Sequence, residues 1–302
     1  MELRQLTDAA LSEFPDGENL RPVVEKEVLH YDILRALEQA GLLGHLTFQG
    51  GTALRLCYGS ARYSEDLDFV GGPEFAANDL ATLAEVVEVF IGKRYGLEVR
   101  VKDPLSRETT STPDGVTVIR WQVALVTAPA RPDIPKQRIR IEVANVPAYS
   151  GELRALQRNY AALPDGYEDI LVPVESMDEI MADKLLSLVA SEKKVRYRDL
   201  WDLPWLHQQG VSPRVEWLQA KITDYGVSDY ETKLQRRLAD LSSLIQGDAF
   251  REQMTRFLPA AVLDRTLERS GFLDYLERTN RELLTSVQRG LTGELEGPEF
   301  RM

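Results

Sequence analysis

Gly50-Gly51-Thr52-Ala53-Leu54-Arg55-Leu56, followed after a short gap by Arg62-Tyr63-Ser64-Glu65-Asp66-Leu67-Asp68-Phe69, decides how this sequence is read. Leu46–Gln49 reads as a short strand and Thr52–Tyr58 as a short helix with the glycine pair at its entrance. Leu67–Val70 reads as the next strand, stopped by Gly71-Gly72-Pro73. Gly50 and Gly51 carry no side chain, so a ligand can come close to their backbone N–H groups. The helix start behind them adds a dipole that favours anions. The plain alternative is a tight strand-to-helix turn. Thr52 either gives its hydroxyl to a phosphate or caps the helix.

Asp66 and Asp68, two apart on a strand, share one face. Carboxylates so placed suit Mg²⁺, which takes carboxylate oxygens together with substrate phosphate. Acid-x-acid patterns arise often by chance in so acidic a chain. This one has leucine between the acids and phenylalanine after them, and it follows a Gly-Gly-Thr turn, which separates it from a solvated strand edge. Together the two stretches read as a nucleoside triphosphate bound with its metal.

A pair of metals needs a third acid. Glu142 lies in Arg138-Ile139-Arg140-Ile141-Glu142-Val143, where alternation puts Arg138, Arg140 and Glu142 on one face and the apolar residues on the other. It is either that third acid or a solvent-facing residue paired with an arginine.

The chain has 302 residues, enough for one large domain or two smaller ones. No run nears the roughly 18 apolar residues of a membrane helix. Met1–Asp8 lacks the basic-then-apolar layout of a secretion signal, so a cytoplasmic protein is expected. A single cysteine, Cys57, excludes an internal disulfide and a thiolate-rich metal site. His30, His45 and His207 have no ligand spacing and are expected to be structural. The net charge of −12 excludes bulk nucleic-acid binding. Local basic clusters remain at Arg131, Lys136, Arg138 and Arg140, and at Lys193, Lys194, Arg196 and Arg198. Each is a solvated face or a docking patch.

Apolar spacing predicts helices over 18–44 and Phe75–Tyr95, and strands over Leu97–Lys102, Val116–Thr127 and Gln137–Val146. Pro104–Gly115 reads as a loop or a hairpin connection. After Pro173 the pattern is helical to about Arg289. It starts at the capping pattern Ser176-x-x-Glu179 and breaks near Gly210, Gly226 and Gly247, and the tail from Gly290 reads as frayed. The expected class is α+β, with residues 1–172 as an α+β core and 173–302 as a helical domain completing the cleft.

The later motifs are Asp183-Lys184-Leu185 and Arg196-Tyr197-Arg198-Asp199-Leu200-Trp201-Asp202. Asp199 and Asp202, three apart, share a helix face. They either take part in chemistry or form an interhelical salt-bridge set with Lys184 or Arg196. Trp201, Leu203, Trp205 and Leu206 read as core. In this order, from Gly50 to Leu203, the motifs resemble those of the AbiEii/AbiGii toxin family, to which MenT toxins are related. The resemblance implies a nucleotidyltransferase, polymerase-β-like fold with a mixed sheet flanked by helices, in a toxin of toxin–antitoxin and abortive-infection systems. It implies that Gly50, Gly51, Thr52 and Ser64 contact the triphosphate. Asp66, Asp68 and Glu142 would hold Mg²⁺, or Mn²⁺ in its place. Lys184 would reach the phosphates, and Asp199 or Asp202 would orient it or act as a base. The family often has lysine at Arg198. Arginine cannot lose a proton at working pH, so no general base is expected there. The implied partners are an NTP, an RNA acceptor such as the 3′ end of a tRNA, and an antitoxin. The rival expectations are a small-molecule or protein acceptor, and a nucleotide-binding protein without catalysis.

Overall fold

The computed structural model describes residues 2–14, 17–104, 110–111, 116–127, 135–192 and 194–293. Arg131, Lys193, most of the 104–115 loop and the tail past residue 293 lie outside them. In chain order the helices are α1 (Leu3–Leu11), α2 (Arg21–Gln39), α3 (Gly50–Tyr58), α4 (Leu83–Tyr95), α5 (Met177–Ala190), α6 (Tyr197–Gln208), α7 (Val215–Asp224), α8 (Tyr230–Gln246), α9 (Asp248–Thr255), α10 (Ala260–Arg265) and α11 (Phe272–Thr292). The strands are β1 (Thr47–Gln49), β2 (Leu67–Val70), β3 (Val99–Lys102), β4 (Thr110–Ser111), β5 (Thr117–Leu125), β6 (Gln137–Ala144), β7 (Glu152–Ala155) and β8 (Leu171–Val174). The chain is α+β. It divides into two compact units, residues 1–176 with 255–264 and residues 177–254 with 265–302.

All eight strands belong to the first unit and form one sheet in the order β3-β5-β6-β2-β1-β8-β7, with β4 added to β5. The sheet is mixed: β2 runs parallel to β6 and β1 parallel to β8, while β1 and β2 are antiparallel. On β6, Ile139, Ile141 and Val143 are fully buried while Arg138 and Arg140 face out. On β5, Ile119, Trp121, Val123 and Leu125 point to the same buried side. Each such aliphatic side chain contributes about 1.5–3 kcal/mol. That preference fixes the register, because a one-residue slip would turn every side chain to the other face.

Helix α2 is buried nearly all round, polar residues included. Its Glu27 takes both Arg55 Nε at 2.9 Å and Arg55 Nη2 at 3.1 Å, and Asn159 at 3.0 Å. This two-pronged pair ties α2 to α3 and so fixes the turn at the mouth of α3. Asp32 on α2 accepts from Tyr95 at 2.6 Å and Tyr167 at 2.5 Å, with Arg94 at 3.0 Å.

The expected 75–95 helix is instead a 3₁₀ turn at Ala77–Leu80 followed by α4, because Asp79 turns back to accept from the Ala76 N–H at 2.9 Å. Helix α3 begins at Gly50, two residues before its expected start, and α11 runs past Gly290 to Thr292. Strands β7 and β8 carry no clear signal. β7 is an exposed edge, and β8 has Pro173 at its centre, a residue that ordinarily argues against a strand. The segment 255–264 packs with the first unit, where Tyr63 N–H donates to Phe257 O at 2.9 Å and Phe257 and Leu258 are buried. Among the described residues, no helix is long and apolar enough to cross a membrane.

The second unit is helical. Pro204 lies inside α6 and lacks an N–H, which leaves the Leu200 carbonyl without its helical donor. Asn280 of α11 supplies that donor at 2.8 Å. Lys221 of α7, fully buried, bridges Glu179 at 2.9 Å and Asp183 at 2.8 Å on α5.

Candidate active site

Cross-strand pairing puts Gln49 of β1 opposite Asp68 of β2, Asp68 opposite Glu142 of β6, and Glu142 opposite Arg120 of β5. Residues directly opposite in a ladder share a face. The row Gln49–Asp68–Glu142–Arg120 therefore lies on one side of the sheet, away from the buried Phe48, Phe69, Ile141 and Trp121. Asp66 stands just before β2, in line with Arg140 of β6. Its carboxylate accepts the Arg140 backbone N–H at 3.1 Å and pairs with the Arg140 guanidinium at 3.1 Å. Glu142 takes Arg120 Nε at 2.6 Å and lies 3.7 Å from Arg140 Nη1. Sequence reading names the three acids. It does not find Arg120, whose only signal is its place on an alternating strand.

The glycine turn closes on this row. Gly50 has φ +76°, a left-handed conformation, and a Cβ there would stand 3.0 Å from Asp68 Oδ2. A side chain at Gly51 would come within 2.5 Å of the Arg62 guanidinium and 3.1 Å of Ser64 Oγ. Both positions keep a space that Asp68, Arg62 and Ser64 border. The Thr52 hydroxyl donates to the Asp66 carbonyl at 2.5 Å, so its proton is used in tying α3 to the start of β2. A phosphate at this helix start would meet backbone N–H groups and Ser64 rather than that proton. His30, buried beside them, bonds the Glu65 carbonyl through Nε2 at 3.0 Å. Burial pushes its pKa below the usual imidazole value against the pull of that bond, which keeps the ring neutral. Lys26 pairs with Glu65 at 2.8 Å. Asp66, Asp68 and Glu142 offer the oxygen donors a hard divalent cation takes, but their oxygens do not converge as they stand: among the described residues the three acids whose ligand atoms lie within 4.8 Å of one another are Glu175, Glu179 and Asp183.

In the second unit, Lys184 of α5 is buried between Asp202 at 2.6 Å and Asp199 at 3.0 Å on α6. Asp199 also accepts from Ser187 at 2.7 Å and Arg196 at 2.9 Å. Burial raises the Asp199 pKa, but Lys184, Arg196 and Ser187 outweigh it and hold the carboxyl well below the usual range. A carboxylate so acidic is a poor general base. Both acids touch Lys184 directly, so the geometry allows either to orient it. Trp201, Leu203 and Leu206 are buried, and Trp205 is half-buried. Burial also pushes the Cys57 thiol up to about 12.

The family model for the AbiEii nucleotidyl transferase toxin of type IV toxin–antitoxin systems matches residues 32–278. The chain belongs to this family. It is therefore a nucleotidyltransferase, and its kind is that of a type IV toxin, which works opposite an antitoxin. Solved structures that are similar include two from Helicobacter pylori. One is JHP933, at TM-score 0.46 and 18% identity, covering 90% of this chain and 94% of that one. The other, provisionally called a nucleotidyltransferase, has TM-score 0.43 and 19% identity and covers 91% and 98%. No curated protein matches the sequence.

Proposed function

We propose that this family member moves a nucleoside monophosphate from an NTP to an RNA acceptor, the 3′ end of a tRNA, in the cytoplasm, and thereby blocks translation until its antitoxin intervenes. The observation that carries the reaction is the single row that brings Asp68 and Glu142 together with Asp66 beside the Gly50–Gly51 turn. The tRNA end and the block on translation come from the family resemblance.

In this reading Asp66, Asp68 and Glu142 would hold Mg²⁺, which would offset phosphate charge and lower the pKa of the acceptor hydroxyl. Arg140 and Arg120 now pair with Asp66 and Glu142, and a cation bound by those acids would free both guanidiniums for another anion. The backbone N–H groups at the mouth of α3, with Ser64, take the triphosphate. The acceptor hydroxyl releases its proton to solvent, its oxygen forms the new bond to the α-phosphorus, the bond from that phosphorus to the bridging oxygen breaks, and pyrophosphate leaves. Lys184, by the resemblance, offsets charge on the β and γ phosphates, and Asp199 and Asp202 orient it. The chain's own share is position and charge rather than covalent chemistry.

The test is label transfer from each α-³²P-NTP to total tRNA with Mg²⁺, beside Asp68→Ala. Label on tRNA from the wild type alone supports the reading. Label that survives in the variant, or wild-type transfer only to a small molecule or protein, refutes it.

A further inference from the structure

Pairing gathers cations that the sequence scatters. Lys102 of β3 stands opposite Gln122 of β5, and Gln122 opposite Arg140 of β6; Arg100 stands opposite Ala124, and Ala124 opposite Arg138. With Arg120 opposite Glu142, these rows place Arg100, Lys102, Arg120, Arg138 and Arg140 on the side of the sheet that also bears Asp68. Arg120, Arg138, Arg140 and Lys26 line a cavity of about 430 Å³ with Glu65, Asp66 and Gln122.

Apart from Asp68, the acids named on this face pair with its cations. Glu98 pairs with Arg100, Glu65 with Lys26, and Asp66 and Glu142 with Arg140 and Arg120. Lys102 and Arg138 are exposed and have no acid partner among the described residues. Among the described residues these two cations stand without an acid in a chain with 48 acids and 36 Lys and Arg, which suits the face to an anionic partner.

Position narrows which anion. The Gly50–Gly51 turn lies on the β1 side of Asp68, and Glu142, Arg120 and the cavity lie on the β6–β5 side. In an in-line displacement the leaving and attacking oxygens stand on opposite sides of the phosphorus. With the triphosphate at the glycine turn, the acceptor comes from the β5–β6 side. Resting on the nucleotidyltransferase reading above, we infer that the β3–β5–β6 face, through Lys102, Arg138, Arg140 and Arg120, grips the phosphates of a single-stranded RNA end and feeds its terminal hydroxyl toward Asp68 and Glu142. Lys102 and Arg140 are two strand spacings apart, about 10 Å, so the face contacts more than one phosphate. A cationic small-molecule acceptor would be repelled here.

The experiment measures anisotropy of a labelled single-stranded oligoribonucleotide with a free 3′ hydroxyl, from low to moderate salt. It compares the wild type with Lys102→Glu/Arg138→Glu, two positions that touch none of the proposed metal ligands. The expected result is a wild-type affinity that falls steeply with salt, and a loss of roughly tenfold or more in the variant with a salt slope shallower by about 1.4, at about 0.7 per phosphate contact. Calorimetric binding of Mg²⁺ and NTP should fall far less than RNA affinity, since neither Lys102 nor Arg138 pairs with Asp66, Asp68 or Glu142. The milder Lys102→Gln/Arg138→Gln pair, checked by its melting curve, answers if charge reversal unfolds the protein. RNA affinity unchanged in a folded variant overturns the inference and leaves the face to an acidic protein. So does salt-independent binding, absence of RNA binding, or a polycationic aminoglycoside that the wild type binds and charge reversal tightens. RNA binding without Mg²⁺ and NTP binding would instead keep the RNA face and sink the nucleotidyl-transfer reading.

Discussion

Two regions of this molecule use the same residue types and treat them in opposite ways. On the sheet face of the first unit, Asp66 and Glu142 pair with Arg140 and Arg120, whose side chains are 48% and 29% exposed. Between α5 and α6 of the second unit, Lys184, Asp199 and Asp202 pair with side-chain exposures of 6%, 2% and 0%. Exposed guanidinium partners sit in high dielectric, where an ion pair contributes little and another cation can displace it. Sealed partners hold Lys184 in one place, so it would meet a phosphate with both acids still on it, and losing one strands buried charge. The open set is built to trade its counter-ions, and the closed set to keep them.

The sharpest way to break the comparison is Asp68→Ala. Transfer should fall by about a thousandfold or more, the scale of losing a main charge-stabilising group, with the melting temperature nearly unchanged. Wild-type turnover in this variant would remove the open set from the chemistry. Next comes Lys184→Ala. It strands two buried carboxylates and should cost about 3–5 kcal/mol of stability as well as transfer. A triple Lys184→Met, Asp199→Asn, Asp202→Asn variant should recover much of the stability and none of the transfer. A single variant that melts like the wild type would show that the set is not sealed.

A smaller effect appears with pH. Asp199 has its folded pKa held below that of the unfolded chain, so its stabilisation is complete above about pH 4. It fades as pH falls through the folded value. The stability gap between wild type and Asp199→Asn should therefore shrink below about pH 4, measured by denaturant melts; a constant gap would contradict the pairing. His30 adds a separate decline. Its folded pKa is lowered, so the unfolded chain binds more protons below about pH 6.5, and stability should begin to fall there. A curve for His30→Asn that keeps the same slope between pH 5 and pH 6.5 would discard this share. The smallest effect belongs to Glu192, which pairs with Arg236 in the open at 53% and 69% exposure. Glu192→Gln should change stability by less than about 0.5 kcal/mol, and a larger loss would blur the contrast between exposed and sealed pairs.

Much of this was legible from local pattern. Asp68 takes its side from strand alternation, with Asp66 just before the strand, and Asp199 and Asp202 share a face because helix residues three apart do. The alternation of β6 gave Glu142 its side. What could not be read were the elements and partners that depend on distant chain. Edge strand β7 and proline-bearing β8 take their form from pairing with each other and with β1. Glu27 meets Arg55 only because α2 packs beside α3. Segment 255–264 joins a unit whose other residues end at 176. The sequence groups Arg138 with its chain neighbours Lys136 and Arg140. The sheet adds Arg120, Arg100 and Lys102 from neighbouring strands.

The sequence by itself determined the chemistry on offer: two acids two apart at a strand, a glycine pair at a helix mouth, and a lysine with two acids at helical spacing. Each follows from backbone geometry over a few residues. Only the tertiary structure decided which of these groups meet. Asp68 stands opposite Glu142, and Arg120 behind it, because burial of the apolar face sets the strand register. Register is a property of the packed sheet and of no single strand.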